Sequence, residues 1–267
     1  MINPADVFDA HPAEPHGTAV LLLAGSSGRI ETNRAEMLAG YGARVRAIRW
    51  FGGVGQRPAP HEVPLELFAD EIDALRAHHD RVALFGTSFG AEAALSVAAV
   101  TPVDATVAVA PSSVVWAGAL DGAWSSHWTL QGAPLPFVSF DDSWQPDAHP
   151  PAYRSLYEQS LRRDREATAA ARIPVERIGG EMLLVVGGDD RVWPSDTFAA
   201  EIVRTRRSAG LPTTVVAHPE AGHRLLLPGE EAAAGGIRMQ RGGSPVDDAA
   251  LGALAWPEIM RVLQLHG

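Results

Sequence analysis

Apolar runs recur along the chain, and segments with helical spacing separate them. Residues 18–25 (TAVLLLAG) form an unbroken apolar run that ends in glycine, as expected for a parallel strand buried on both faces. Residues 43–50 (ARVRAIRW) instead alternate apolar and polar side chains. Further strands are predicted at 81–86, 105–112, 181–188 and 213–223.

The intervening segments have the apolar spacing of helices. Within residues 64–79, Leu65, Phe68, Ile72 and Leu75 fall on one helical face, and Pro64 suits the first turn. Other helices are predicted at 31–42, 91–100, 195–209 and 248–265. Because strands alternate with helices, we expect crossover connections and an α/β fold whose mostly parallel central sheet has helices on both faces.

Residues 113–172 interrupt this alternation. They contain many prolines and no clear strand, and their tryptophans are Trp116, Trp124, Trp128 and Trp144. We interpret the segment as a cap-like insertion over the carboxyl edge of the sheet. Residues 1–267 are therefore predicted to form a single domain that carries a Trp-rich cap.

Composition narrows the possible partners. The 267 residues carry a net charge of −10, which argues against nucleic acid or an anionic membrane as a partner. The first residues show no signal peptide, and the early apolar run is too short to span a bilayer, so a cytoplasmic protein is expected. Cysteine and lysine are both absent, which excludes disulfides, a thiol nucleophile and a Schiff-base lysine.

A candidate nucleophile lies between the strand at 81–86 and the following helix. Gly86-Thr87-Ser88-Phe89-Gly90 fits the pattern G-x-S-x-G, and its strand–turn–helix context is that of a nucleophile elbow. The two glycines leave room for neighbouring backbone, while the turn lifts the Ser88 hydroxyl above the sheet edge. The alternative is that Ser88 only caps the helix.

A serine nucleophile needs a base and an acid that orients the base. The segment 185–194 (VVGGDDRVWP) follows a strand, and its spacing favours Asp190 over Asp189 as the acid; alternatively, both aspartates only cap the helix near Ser195. His223, in the loop after the last strand, is the predicted base. No metal site is predicted, because no histidine pair has helical i, i+4 spacing with a carboxylate, and no cofactor is expected.

The remaining site residues are predicted from their loops. The backbone amides of Phe89 and of Ser26, with Ser27 as the next choice, are candidate donors to an oxyanion. The Trp-rich segment suggests an apolar acyl pocket, although core packing is the expected role of at least two of its four tryptophans. Candidate substrate contacts are Trp116, Trp124, Trp128, His127 and Trp193.

Two longer motifs resemble a known family. They are IPVERIGGEMLLVVGGDDRVWPS (173–195) and HPEAGHRLLLPG (218–229). Two shorter segments, AVLLLAGSSGR and RAIRWFGGVG, occur where that family has its glycine-rich loop and the following strand. Residues 17–267 thus resemble the catalytic domain of the acyl-CoA thioesterase and bile acid-CoA:amino acid N-acyltransferase family. The resemblance implies an α/β-hydrolase fold with Ser88 as nucleophile, Asp190 as acid and His223 as base.

The sequence differs from members of this family in two respects that affect the expected function. Its two-domain members carry an N-terminal β-sandwich, and with about 16 residues before the first predicted strand we expect that domain to be absent. Its amino acid-conjugating members use cysteine, so a serine favours hydrolysis or transfer to an alcohol. A basic patch able to receive the phosphates of coenzyme A could come from Arg29, Arg49, Arg57, Arg191 and Arg224.

The sequence therefore predicts a serine hydrolase that cleaves a small-molecule thioester or ester of a small or fatty acid through an acyl-serine intermediate. The alternatives are an acyltransferase that passes the acyl group to an alcohol or amine, and a carboxylesterase or lactonase. A non-catalytic ligand-binding module is the remaining alternative, disfavoured because all three positions of the Ser–Asp–His set are filled. The sequence gives no oligomeric state.

Overall fold

The computed structural model describes residues 2–14, 18–231 and 238–266. Its strands are β1 (Val7–Ala10), β2 (Thr18–Leu23), β3 (Arg44–Ile48), β4 (Val63–Pro64), β5 (Arg81–Thr87), β6 (Ala105–Val109), β7 (Ala117–Leu120), β8 (Ala123–Ser126), β9 (Trp128–Leu130), β10 (Ala133–Pro134), β11 (Glu181–Gly187) and β12 (Thr214–His218). Its α-helices are α1 (Thr32–Gly40), α2 (Glu66–Arg76), α3 (Phe89–Ala98), α4 (Arg154–Arg163), α5 (Arg165–Ala170), α6 (Ser195–Ser208) and α7 (Pro245–Leu263). Short 3₁₀ helices cover Pro4–Asp6 and Val175–Arg177.

The large sheet has the strand order β1-β3-β2-β5-β6-β11-β12. Every neighbouring pair is parallel except β1 and β3. The predicted mostly parallel sheet is thereby confirmed. In a parallel sheet the carboxyl ends of the strands share one edge, so the loops after β2, β5, β11 and β12 all emerge there.

Helices cover both faces of this sheet, as the alternation of side chains along β2 illustrates. Leu21 and Leu23 pack in a cluster with residues of α2, α3 and α6. Val20 and Leu22 point to the other face and pack with residues of α1 and α7. Successive side chains of a strand point to opposite faces, so a continuous apolar run is required here.

Two parts of the architecture differ from the sequence-based expectation. β1 pairs antiparallel with β3 at the edge of the sheet, although no strand is predicted before residue 18. Residues 113–172 contain the hairpin β7–β8 and the strands β9 and β10, where no clear strand is predicted. These strands have two to four residues each, too few to produce a readable alternation.

The insertion has its own small core. Val114, Trp116, Val138 and Tyr157 from the insertion pack with Trp193 and Phe198 in a third buried cluster. The insertion is also joined to the rest of the chain by β9, which pairs in parallel with β4. The Trp-rich segment is thus folded onto the sheet domain through buried contacts.

The turn from β5 to α3 is packed against backbone. A Cβ atom added at Gly90 would lie 2.3 Å from the carbonyl oxygen of Leu23, and one added at Gly86 would lie 2.1 Å from that of Gly90. Real Cβ atoms do not approach other atoms so closely, so only glycine permits this crossing of helix and strand.

We expect Gly90→Ala to destabilise the fold by more than about 3 kcal/mol, because α3 must move away from β2. Gly40→Ala is the matched control, since a Cβ at Gly40 meets no atom within 4 Å. That change lies at the end of a helix and should be neutral or stabilising by about 0.5–1 kcal/mol. Urea unfolding of both variants measures the difference, and equal stabilities would contradict the packing argument.

Candidate active site

Three polar side chains meet at the carboxyl edge of the sheet. Ser88 directly follows β5, Asp190 lies in the loop after β11, and His223 lies in the loop after β12. Thr87 is level with Val109, and Gly187 is level with His218, so the strand ends bring these loops together. The Ser88 and His223 side chains come into contact although 135 residues separate them.

Ser88 has the backbone geometry of a sharp turn. Its φ is 58° and its ψ is −123°, a conformation that costs a non-glycine residue of order 1–3 kcal/mol. The Ser88 amide donates to the Val109 carbonyl, and the Ser88 carbonyl accepts the amides of Ala91 and Glu92. The strand and the helix therefore hold the strained residue from both sides, with its hydroxyl directed to His223.

A chain of hydrogen bonds joins the three side chains. The distance from His223 Nε2 to Ser88 Oγ is 2.9 Å, and the distance from His223 Nδ1 to Asp190 Oδ2 is also 2.9 Å. Asp190 is 1 % exposed and Ser88 is 8 % exposed, so these bonds lie largely outside bulk water. If Nδ1 carries the proton donated to Asp190, Nε2 can accept the proton of the Ser88 hydroxyl.

Asp190 is held by more than the histidine. Its Oδ1 accepts the amides of Val192 and Trp193, and its Oδ2 accepts the hydroxyl of Ser195 at 2.6 Å. These donors satisfy a carboxylate that would otherwise be buried at high cost. Ser195 is not among the residues predicted to touch Asp190, since a serine at the start of a helix carries no signal beyond capping.

Asp189, the alternative acid, has other partners. Its carboxylate accepts bonds from the Arg191 guanidinium at 2.9 Å and from the Gly243 amide at 2.9 Å. Burial raises the pKa of Asp189, but these bonds outweigh burial and lower the pKa below its usual range. The carboxylate that reaches His223 is therefore the one favoured by the sequence spacing, Asp190.

The predicted oxyanion donors lie beside Ser88. Phe89 is the first residue of α3, where helix amides lack intrahelical acceptors. On the opposite side, a Cβ added at Gly25 would lie 3.0 Å from the Cβ of Ser88, so the loop that contains Ser26 and Ser27 is packed against the serine. The position of this loop suits a backbone amide that donates to an oxyanion. The assignment of that amide to Ser26 or Ser27 stays a prediction.

The predicted aromatic contacts divide into two groups. The Phe89 ring lies 4.5 Å from the His127 ring and 5.6 Å from the Trp193 ring, and Trp193 lies 5.8 Å from His223. Trp116 and Trp128 are 0 % exposed and belong to core clusters, whereas Trp124 is 55 % exposed on the β7–β8 hairpin. Only His127 and Trp193 of this predicted set pack directly against Phe89 or His223 in the described contacts.

A buried carboxylate links the insertion to α3, and it is not predicted from the sequence. Glu92 is 0 % exposed and lies one helical turn after Phe89. It accepts bonds from the Trp116 amide at 3.1 Å, from Trp128 Nε1 at 2.8 Å and from His127 Nδ1 at 3.1 Å. A single glutamate in an alanine-rich helix gives no sequence signal for such a cluster of donors.

Among residues 2–14, 18–231 and 238–266, no group of three or more His, Asp or Glu side chains is placed to hold a metal ion. Within the same residues, no helix combines the length and the apolar character needed to cross a bilayer.

The fold and the edge site define the class of this protein. A protein that has a mostly parallel sheet with helices on both faces, and a strained serine directly after a central strand, has the α/β-hydrolase fold. A crystal structure of a putative dienelactone hydrolase from Klebsiella pneumoniae subsp. pneumoniae MGH 78578 has a similar fold. It has a TM-score of 0.56 at 12% identity and covers 97% of this chain and 98% of that protein.

Residues 63–266 match the family model described as BAAT / acyl-CoA thioester hydrolase C terminal, so the chain belongs to that family. Human acyl-coenzyme A thioesterase 6 is 26% identical, over 96% of this chain and 61% of the relative. Human mitochondrial acyl-coenzyme A thioesterase 2 is 25% identical, over 96% of this chain and 54% of the relative. The chain thus spans little more than half the length of these relatives.

We expect Glu92→Ala to lower the free energy of unfolding by about 3–5 kcal/mol, because it leaves three buried donors without an acceptor. Glu36→Ala, at an exposed position of α1, is the helical control and should change stability by less than about 0.5 kcal/mol. Chemical denaturation measures both values. A Glu92→Ala protein as stable as the control would show that Glu92 does not hold the insertion.

Proposed function

We propose that this protein hydrolyses acyl-CoA thioesters through an acyl-serine intermediate, with Ser88 as nucleophile, His223 as base and Asp190 as orienting acid. The observation that carries the proposal is the unbroken hydrogen-bonded chain from Ser88 Oγ through His223 to Asp190, at 2.9 Å per contact. Membership of the acyl-CoA thioester hydrolase family supports the choice of thioester.

The first half-reaction acylates the serine. His223 Nε2 takes the hydroxyl proton as Ser88 Oγ attacks the thioester carbonyl carbon, which forms a C–O bond and a tetrahedral oxyanion. Asp190 holds Nδ1–H and stabilises the imidazolium. Collapse of the oxyanion breaks the C–S bond, and His223 gives its proton to the departing thiolate.

Water then completes the cycle. His223 Nε2 accepts a proton from water as its oxygen attacks the acyl-serine, and the second tetrahedral intermediate expels Ser88 Oγ, which recovers the proton from His223. The amides of Phe89 and Ser26 stabilise both oxyanions, an effect of about 2.7–4 kcal/mol for a single donor in comparable sites. The products are the free acid and the free thiol.

The acyl group is assigned to the aromatic side of the site. The Phe89 ring contacts the rings of His127 and Trp193 beside Ser88 and His223. Of these three rings only that of Phe89 belongs to a partly exposed residue, so Phe89 offers apolar surface to a hydrocarbon chain. Trp116 and Trp128 both donate to Glu92 and are fully buried, and Trp193 is buried to the same extent. We assign these three tryptophans to support rather than to contact with the acyl chain.

The leaving group is assigned to arginines near the His223 loop. Burial lowers the pKa of the Arg241 guanidinium, and the positive charges of Arg224 and Arg29 lower it further. The Arg241 carbonyl accepts the His223 amide, and Arg224 directly follows His223 in the chain, so we assign the positive region to this side of the base. Such a region suits the phosphates of coenzyme A. Most of the predicted patch is paired with carboxylates, as Arg29–Glu31, Arg49–Asp6, Arg57–Glu62 and Arg191–Asp189.

The nucleophile is tested with a fluorophosphonate probe. We expect the parent protein to be labelled at Ser88 and Ser88→Ala to be unlabelled at any serine, because only Ser88 Oγ is activated by His223. Peptide mass spectrometry identifies the labelled residue, and circular dichroism confirms that the variant is folded. Labelling of folded Ser88→Ala to the same extent as the parent would refute the proposed mechanism.

The leaving group is tested by comparing an acyl-CoA with the p-nitrophenyl ester of the same acid. Arg224→Gln should lower kcat/KM for the acyl-CoA about tenfold, the value of one charge-assisted contact, and leave the ester unaffected. Arg261→Gln, at an exposed arginine paired with Glu181 at the opposite sheet edge, should change neither. Equal sensitivity of both substrates, or free acid absent from the products, would favour an esterase or an acyltransferase instead.

A further inference from the structure

A buried arginine outside the Ser88–His223–Asp190 chain contacts both the residue before Ser88 and the loop after His223. Arg34, on α1, is 8 % exposed. Its Nε and Nη2 donate to the two carboxylate oxygens of Glu230 at 2.7 and 2.8 Å, which is a bidentate pair. Its Nη2 also donates to the Leu225 carbonyl at 3.2 Å, and its Nη1 donates to Thr87 Oγ1 at 3.3 Å.

These contacts join segments that are remote in sequence. Thr87 is the residue before Ser88 and the last residue of β5. Leu225 and Glu230 belong to the loop that follows His223, and Glu230 orders that loop further by accepting the Leu227 amide at 3.0 Å. One guanidinium therefore spans from the neighbour of the serine to the loop of the histidine.

The electrostatics of this contact are those of a compensated buried pair. Burial of Arg34 opposes its charge, but the bonds to Glu230 outweigh burial and hold the pKa of Arg34 above its usual range. The guanidinium also lies 5.4 Å from the centre of the Phe85 ring, in the strand that leads to Ser88. Arg34 is thus a permanent cation, and its fork geometry is not reproduced by lysine.

We propose that Arg34 is a positioning residue that sets the separation between Ser88 Oγ and His223 Nε2 by fixing Thr87 and the loop at 225–230 to the same guanidinium. The inference rests on the proposed function, because it concerns the efficiency of proton transfer between those two atoms. It adds a residue that touches neither the substrate nor the reacting atoms.

A second buried arginine provides the matched control. Arg206 is 1 % exposed and donates to Thr213 Oγ1 and to backbone carbonyls at residues 175, 178, 180 and 212. Gly180 and Thr213 immediately precede β11 and β12, so Arg206 lies at the edge of the sheet opposite Ser88. Its replacement should cost stability without changing the site.

The experiment compares Arg34→Lys with Arg206→Lys, using the substrate that the parent protein turns over fastest. We expect both variants to lose stability. Arg34→Lys should lower kcat about 10- to 100-fold with KM changed by less than about twofold, because a shift of the order of 1 Å between reacting groups has such an effect. Arg206→Lys should keep both parameters within about twofold of the parent, as expected for a purely structural residue.

Glu230→Gln is the second variant. It keeps the shape of the partner while removing its charge, and should lower kcat in the same direction as Arg34→Lys. If Arg34→Lys does not fold, Glu230→Gln decides the question. Parental kcat in whichever of these variants folds, or an equal fall of kcat in Arg206→Lys, would overturn the inference. A parent protein that turns over no substrate and is not labelled at Ser88 would refute the proposed function instead, so the two failures are distinguishable.

Discussion

The contact between Ser88 Oγ and His223 Nε2 is the interaction on which the candidate active site depends. It exists because β5 and β12 end at the same edge of one mostly parallel sheet, with β6 and β11 between them. A hydrogen bond needs its heavy atoms within a few tenths of an ångström of the optimum. The backbone around both residues must therefore be stiff, and the surrounding structure supplies that stiffness.

Three buried charged side chains contribute to this stiffness from different directions. Asp190 fixes the histidine ring and is itself held by Ser195 and two amides. Arg34 joins Thr87 to the loop after His223, and Glu92 joins α3 to the insertion. Each charge has several hydrogen-bond partners, which is the condition under which a buried charge is tolerated. A polar network that is fully satisfied favours a single arrangement of its members.

The sequence carries information about this site unevenly. Ser88, Asp190 and His223 each follow a predicted strand of the large sheet, and the G-x-S-x-G pattern and the spacing around Asp190 add to that position, so the sequence predicts all three as candidates. Arg34 and Glu92 occupy helix positions where an arginine or glutamate is usually exposed, and only the tertiary contacts reveal their burial. β1 and the strands of the insertion are too short to be read from periodicity, since their pairing is decided by distant partners.

The helix α3 connects the insertion to the residue next to Ser88. The helix begins at Phe89, next to Ser88, and one turn later Glu92 accepts bonds from Trp116, His127 and Trp128. Because Glu92 and Phe89 lie on the same short helix, a movement of Trp116, His127 and Trp128 that carries Glu92 with it would also displace Phe89 and its amide. The Phe89 ring, which is assigned to the acyl chain, and the Phe89 amide, which is assigned to the oxyanion, are therefore both held by α3. In such an arrangement a change in the insertion that alters acyl preference also alters kcat, whereas a change on the arginine side of the site acts mainly on binding of the leaving group.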